Sequence, residues 1–442
     1  MIPALRYGRI PLLIILAALG LQRVASSLEH TDSRCTGPLC QAALTAGIDQ
    51  RPLKDIIWSS IMAIAISSVV SIHPNVPSRD AKTGSSNGTL KRVVLILWTL
   101  VAPEIVILWA LRQWIGARRL AEEFKGSLSF STGIGTYSRC TGLEGQGWTT
   151  AHGHLMQMGG FVLYDETHRA IEILEPKRFR QLLLDDWIEF PRITEAEIRD
   201  IGKSDALFKG FAIIQGTWLV IHCASRLLSG YMITGIELIA LTSIISNAVL
   251  YWLWWDKPLD VRCPVPVYLL DGTDKEKAEI KPDAMLNRNS SLNIFGNLRE
   301  MSGLSEMEAA HRTHSSPFHA IPADISVKSM EAEERTVHVV SAVAGVTSTI
   351  FYLSWLFGTL SFSTHAERIA WQVCSVAVAI CTVALLLHAR QGLNLQRKRA
   401  RFLLDVYVIA HVLLTLASLL SLKQLPPSAY NAVWWTSYLP HI

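Results

Sequence analysis

Ile233–Trp255 reads ITGIELIALTSIISNAVLYWLWW, a run whose only charged residue is Glu237. About 20 mostly apolar residues make a helix long enough to cross a bilayer, and this stretch qualifies. Six further stretches reach that length: Ile56–Ile72, Val93–Ile115, Leu207–Leu228, Val337–Leu360, Ile369–His388 and Phe402–Leu422. The expected fold is an all-α polytopic membrane protein of about seven transmembrane helices.

Composition agrees. Half of the 442 residues are hydrophobic and mean hydropathy is +0.28. Only 18% are charged, against roughly 25% in soluble domains. Trp58, Trp98, Trp114, Trp252, Trp254, Trp255, Trp434 and Trp435 stand near span ends, where an amphipathic indole favours the headgroup layer. The net charge of +4 is dispersed along the chain, which gives no basic patch for a nucleic-acid partner. Membrane lipids are the expected surroundings.

Arg6 and Arg9 precede the short apolar run Ile10–Leu21, and Val24-Ala25-Ser26 follows it. That order reads as a signal peptide or signal-anchor over residues 1–27. Beyond it, in the short segment 28–55, Cys35 and Cys40 would close a small disulfide loop in an oxidising lumen. The expected location is the endoplasmic reticulum or another secretory-pathway membrane.

Lys and Arg mark cytoplasmic loops. The turns Ser229–Met232 and Ser361–Ala366 carry neither, whereas Asp256–Thr336 and Ala389–Arg401 are rich in both. Those two loops, and the end of the segment before Leu207, are therefore cytoplasmic. The amino-terminal half allows two solutions. A cleaved signal puts Leu28–Asp55 outside, and the chain then needs one more crossing before Ala206. A cytoplasmic amino end removes that need and leaves Asn87 of Asn-Gly-Thr outside as a glycosylation acceptor.

Residues 116–206 are too long for a passive connection and form a small mixed cytosolic insertion. Phe161–Tyr164 and Ala170–Leu174 suit two short strands around a turn. Thr194 with Glu197 predicts a capping box opening a helix at Glu195–Ile201. The loop 256–336 is partly disordered over Asp283–Pro317, which is rich in Ser, Asn, Met and His. Spans then fill 337–422, and residues 423–442 form the tail.

Charge buried in the spans marks the candidate site. Glu104 follows Pro103 at the centre of Val93–Ile115, where a charge costs about 2.5–3.5 kcal/mol on insertion scales. It is either a proton-transfer group or an interhelical hydrogen-bond partner in a kinked helix. Gln215, His222 and Arg226 fall on one helical stripe, with Trp218 beside it. Glu237 is placed to clasp Arg226 across the hairpin. Asp405 and His411 lie in the last span. The catalytic candidates are Glu104, His222 and Arg226; the substrate-lining candidates are Gln215, Trp218, Glu237, Asp405 and His411. No cofactor motif is present. His152-x-His154 on a strand, with His168, is a weak metal pattern, and Asp185-Asp186-x-x-Glu189 reads as a solvated acidic turn. Trp254–Val261 reads as a membrane exit followed by an extended Pro264/Pro266 segment.

Several motifs stand out together: Ser71–Pro77 (SIHPNVP), Ala102-Pro103-Glu104 with Ala110–Gln113, Trp148-Thr149-x-x-His152-Gly153, Met158–Phe161 (MGGF), Ile193–Ile198 (ITEAEI) and Trp254–Val261 (WWDKPLDV). On these the chain resembles a widespread family of uncharacterised fungal multi-span membrane proteins. The resemblance covers about Asp55–Val267 and implies an endomembrane protein, with no reaction attached. The family's expanded sets are compatible with specialised metabolism.

Two functions follow as expectations. One is a membrane-embedded enzyme, or an accessory to other membrane enzymes, handling a lipophilic small molecule such as an isoprenoid. The other is a non-catalytic receptor-like, transport-like or scaffold bundle. The two halves show no inverted repeat, which weighs against transport.

Overall fold

Two of the predicted spans run side by side in the same direction. Leu53–Ser71 (α1) and Gly235–Leu253 (α8) are joined at their amino ends by Arg51, which donates to Glu237 at 2.5 and 3.1 Å. Along their length Ser71 Oγ donates to Asn247 Oδ1 at 2.9 Å, and Asn247 Nδ2 donates to Ser67 and Ser68 at 3.0 and 3.1 Å. Small polar residues of this kind hold apolar helices together where no hydrophobic difference would. Past their carboxyl ends Lys257 reaches Asn75.

The computed structural model describes residues 51–76, 86–130, 147–165, 168–202, 206–259, 261, 263–270, 301, 353, 362, 364–391, 397–425 and 427–433. Residues 1–27, Cys35, Cys40 and Pro77 lie outside them, as do Val337–Leu360 and Asp283–Pro317 apart from isolated positions.

Around α1 and α8 stand Ala206–Leu228 (α7), His365–Gln391 (α9) and Arg397–Ser421 (α10). Five helices among the described residues are long and apolar enough to cross a membrane. α8 is central and mostly buried, whereas the outer helices present apolar side chains outward, including Ile213 and Ile214, Val373 and Ile380, and Phe402 and Ile409.

The expected single span Val93–Ile115 is corrected. It is two helices, Ser86–Val101 (α2) and Pro103–Phe130 (α3), bent by 119° where they meet. Pro103 has no N–H to donate, and its ring pushes Ala102 out of helical geometry. Both limbs stay at one end of the bundle. Arg92 in the middle of α2 donates to Val69 O in the last turn of α1, and Gln113 of α3 donates to Asn75 just beyond α1. Much of the run is buried in protein, with Leu95, Trp98, Val106, Ile107, Trp109 and Leu111 in the core, whereas Val93 and Leu97 are exposed.

α3 continues into a second core. Its Leu120 and Phe124 join Trp148, Phe161, Phe179 and Ile198. This subdomain contains Thr150–Gln157 (α4), strands Phe161–Tyr164 (β1) and Ala170–Ile173 (β2), Pro176–Leu184 (α5) and Glu195–Ile201 (α6). The expected strands and capping box are present. Thr194 Oγ1 accepts from Glu197 N, and Glu197 Oε2 accepts from Thr194 N. The extended Pro264/Pro266 segment supplies a third strand, Val265–Tyr268 (β3). It lies parallel to β1, with Phe161 opposite Val265, giving the order β2-β1-β3. The 116–206 insertion therefore borrows a strand from beyond α8.

α4 crosses α3 at Gly153, where a Cβ would fall 2.1 Å from the Ala117 carbonyl oxygen. Gly153→Ala should push the two helices apart, at about 1–3 kcal/mol. A lowered thermal midpoint of the purified protein would show it; an unchanged midpoint would mean that the crossing relaxes freely.

Candidate functional site: a buried lysine–histidine centre

The sequence-predicted site residues do not assemble into one site. Glu104, in the first turn of α3, bonds to the Tyr407 hydroxyl of α10, and the Tyr407 ring packs on His411 at 4.7 Å. Arg226 and Glu237 lie at the Arg51 end. Tyr407 is 11 residues from Ser418, which packs on Gly235, and at 1.5 Å per residue that is about 16 Å along α10. Gln215 is buried on α7, whereas Trp218, His222 and Asp405 are half-buried.

The expected Arg226–Glu237 clasp is also corrected. Glu237 takes Arg51 and the Thr234 cap instead. Arg226 donates to the carbonyls of Met232, Ser428, Ala429 and Asn431, pinning the short helix Pro427–Tyr430 (α11) to the hairpin. This end is a structural knot of satisfied groups.

The opposite end differs. Lys257 is 3% exposed and donates to Asn75 Oδ1 at 3.0 Å and Gln113 Oε1 at 2.9 Å. Its ammonium lies over the rings of Trp254 and Trp109, at 4.7 and 5.2 Å. The amide orientations are set by neighbours: Trp254 Nε1 donates to Gln113 Oε1, and Gln113 Nε2 donates to Asn75 Oδ1. Both oxygens therefore face the ammonium. No carboxylate pairs with Lys257 among the described residues. Burial alone pushes its ammonium well below its ordinary value.

Beside it stand His73 and His154. The His73 ring is held by the Ser71 carbonyl at 3.0 Å and lies near Trp254. His154 is 1% exposed, and neither ring nitrogen has a hydrogen-bond partner among the described residues. Burial first, then the charges of Lys257 and His73, hold its imidazole well below the ordinary value. Gln157, one turn on, is equally buried, with both amide atoms unpartnered. Each such atom costs about 1–3 kcal/mol unless something satisfies it.

The two histidines of His152-x-His154 have separate roles, and they sit on α4, not on a strand. His152 Nδ1 accepts from Thr149 N, and its Nε2 donates to Ile193 O at 2.8 Å, tying α4 to the segment leading into α6. His168 sits in the β1–β2 connection against Tyr268. Among the described residues no three metal-ligating side chains converge. Asp185, Asp186 and Glu189 are exposed, as the acidic-turn reading expected.

Sequence reasoning missed Lys257, Asn75, Gln113, His154 and Gln157 as a group. Each falls within or beside a quoted motif, but none was grouped with the others, and His154 entered only with His152 as a weak metal pattern. Asn75 and Lys257 do share a position just beyond an apolar segment, which was the available signal for those two.

Fold and site together define a class: an apolar helical bundle with a broken helix pair, capped at one end by a three-stranded subdomain over a buried lysine. The chain belongs to a family of unknown function, DUF8562, whose match covers residues 38–332. No curated protein and no solved structure matches it. All the side chains of the lysine centre lie within the matched residues, whereas Tyr407 and His411 lie beyond them.

Proposed function

We propose that this is an integral endomembrane protein that acts on a lipophilic small molecule, as an enzyme or enzyme accessory, with the Lys257 centre at its working end. The outward apolar faces of α1, α7, α9 and α10 suit lipid contact. The basic connection after α8 supports a cytoplasmic Lys257 end. α1, parallel to α8, then starts in the lumen, and the α2–α3 bend enters and leaves on the cytoplasmic side. That path removes the missing crossing required by a cleaved signal and puts Asn87 in the cytoplasm. Irregular backbone at Ala102-Pro103 is tolerable within a membrane because protein covers it.

One observation carries the reading: an enclosed lysine with no carboxylate partner among the described residues, at the level where a lipophilic molecule would present its polar end. Such an ammonium stabilises developing negative charge far better than one in water. Glu104 with Tyr407 would supply a proton from deeper in the bundle. A non-catalytic scaffold remains the second reading. It is favoured by the donor-saturated Asn75 and Gln113 oxygens, which lock three segments together.

Lys257→Met in a heterologous host separates the two. Loss of a lipophilic metabolite at normal protein abundance is expected for the enzyme. An unchanged metabolite profile, with the protein abundant, would support the scaffold and overturn the first reading. Extraction by carbonate would overturn both.

A further inference from the structure

We infer that His154, Gln157 and Lys257 form a site for an oxyanion, the carboxylate or phosphate head of an amphiphile. This rests on the Lys257-centred reading above and names the chemistry that would occupy it. His154 and Gln157 are three residues apart on α4 and so share one face. Both are at least 98% buried, and their four polar side-chain atoms have no partner among the described residues. Gln157 lies against Gly116, where a Cβ would meet its Nε2 at 2.2 Å. Gly116 is one turn of α3 beyond Gln113, the residue that holds Lys257. Groups with no partner, and a lysine with no carboxylate, among the described residues therefore neighbour one another at the α3–α4 crossing.

Buried polar atoms without partners need an explanation, and water or a ligand are the usual ones. Water would satisfy the dipoles of His154 and Gln157 but leave the ammonium without a counter-charge. An oxyanion supplies that counter-charge and takes the two donors, leaving the acceptors Gln157 Oε1 and the second His154 nitrogen to water or to a phosphate's own O–H. Its oxygens accept from Gln157 Nε2 and from the one N–H of a neutral His154, and its charge balances Lys257. The exposed indoles of Trp252 and Trp255 lie at this same end of α8, at the headgroup level of the proposed topology. An acid head at this depth would leave its chain among the apolar helices.

The test uses the full chain in nanodiscs, with palmitic acid, dodecyl phosphate and hexadecanol as probes. The acid-headed probes should bind at least tenfold tighter than the alcohol. His154→Leu should weaken them at least tenfold. Gln157→Glu, nearly isosteric and repulsive to an anion, should do the same while keeping the thermal midpoint of the wild type. Competition by millimolar inorganic phosphate would identify a free anion as the occupant, and its absence an amphiphile head; either supports the oxyanion site. Equal binding of acid and alcohol, or wild-type binding by both variants, would overturn it and leave water as the partner of His154. If Lys257→Met abolishes the metabolite while acid-headed probes show no preference, this inference fails and the proposed function stands.

Discussion

Arg51→Ala should destabilise the bundle by about 3–5 kcal/mol, because it strands a carboxylate that is fully enclosed. Glu237 accepts two bonds from Arg51, and two more from the backbone and hydroxyl of Thr234. The Thr234 bonds alone cannot neutralise it. Arg226 is close, but its donors are committed to Met232 and the α11 carbonyls. Thermal denaturation of the purified protein would read the loss as a lower midpoint. The double replacement Arg51→Met with Glu237→Met removes both charges and should recover most of it, since paired buried ions are often replaceable by apolar residues of similar volume. A single mutant as stable as the wild type would show that the guanidinium contributes little there. A double mutant no better than the single would show that the lost stability lies elsewhere.

Trp148→Ala should cost about 3–5 kcal/mol in the subdomain. Its indole is 4% exposed, stacks on Phe161 and Phe179 at 5.8 and 5.6 Å, and tilts against Phe124 at 4.7 Å. It also stacks on His152, whose bonds hold α4 in place. Losing the ring opens a void in the middle of this core. Limited proteolysis should then cut within residues 147–202 while the apolar bundle stays intact. A wild-type cleavage pattern would mean that the neighbouring rings collapse into the space. Because α4 carries His154, the same variant should also weaken binding at the lysine–histidine centre.

Local features of this chain were legible without its fold. The short strand-forming runs at Phe161–Tyr164 and Ala170–Ile173, the Thr194/Glu197 cap and the lengths of α1, α7, α8, α9 and α10 all depend on neighbours within one element. The candidate site was not legible in the same way. Glu104 and Glu237 were rightly noticed as expensive charges, but their partners Tyr407 and Arg51 are 303 and 186 residues away.

What the amino-acid order determined by itself was which segments leave water: hydropathy and span length depend only on local composition. Tertiary structure alone decided what each apolar segment meets there. Val93–Ile115 has the hydropathy of a span because transfer out of water has a similar free energy whether lipid or protein receives the side chain. The 119° turn at Pro103 and the surrounding helices determine that most of it, Val93 and Leu97 apart, meets protein. The parallel course of α1 and α8 likewise gives Glu237 to Arg51 at one end and brings Asn75 to Lys257 at the other. No local pattern records that choice, because the direction of packing emerges only when distant helices bury their faces together.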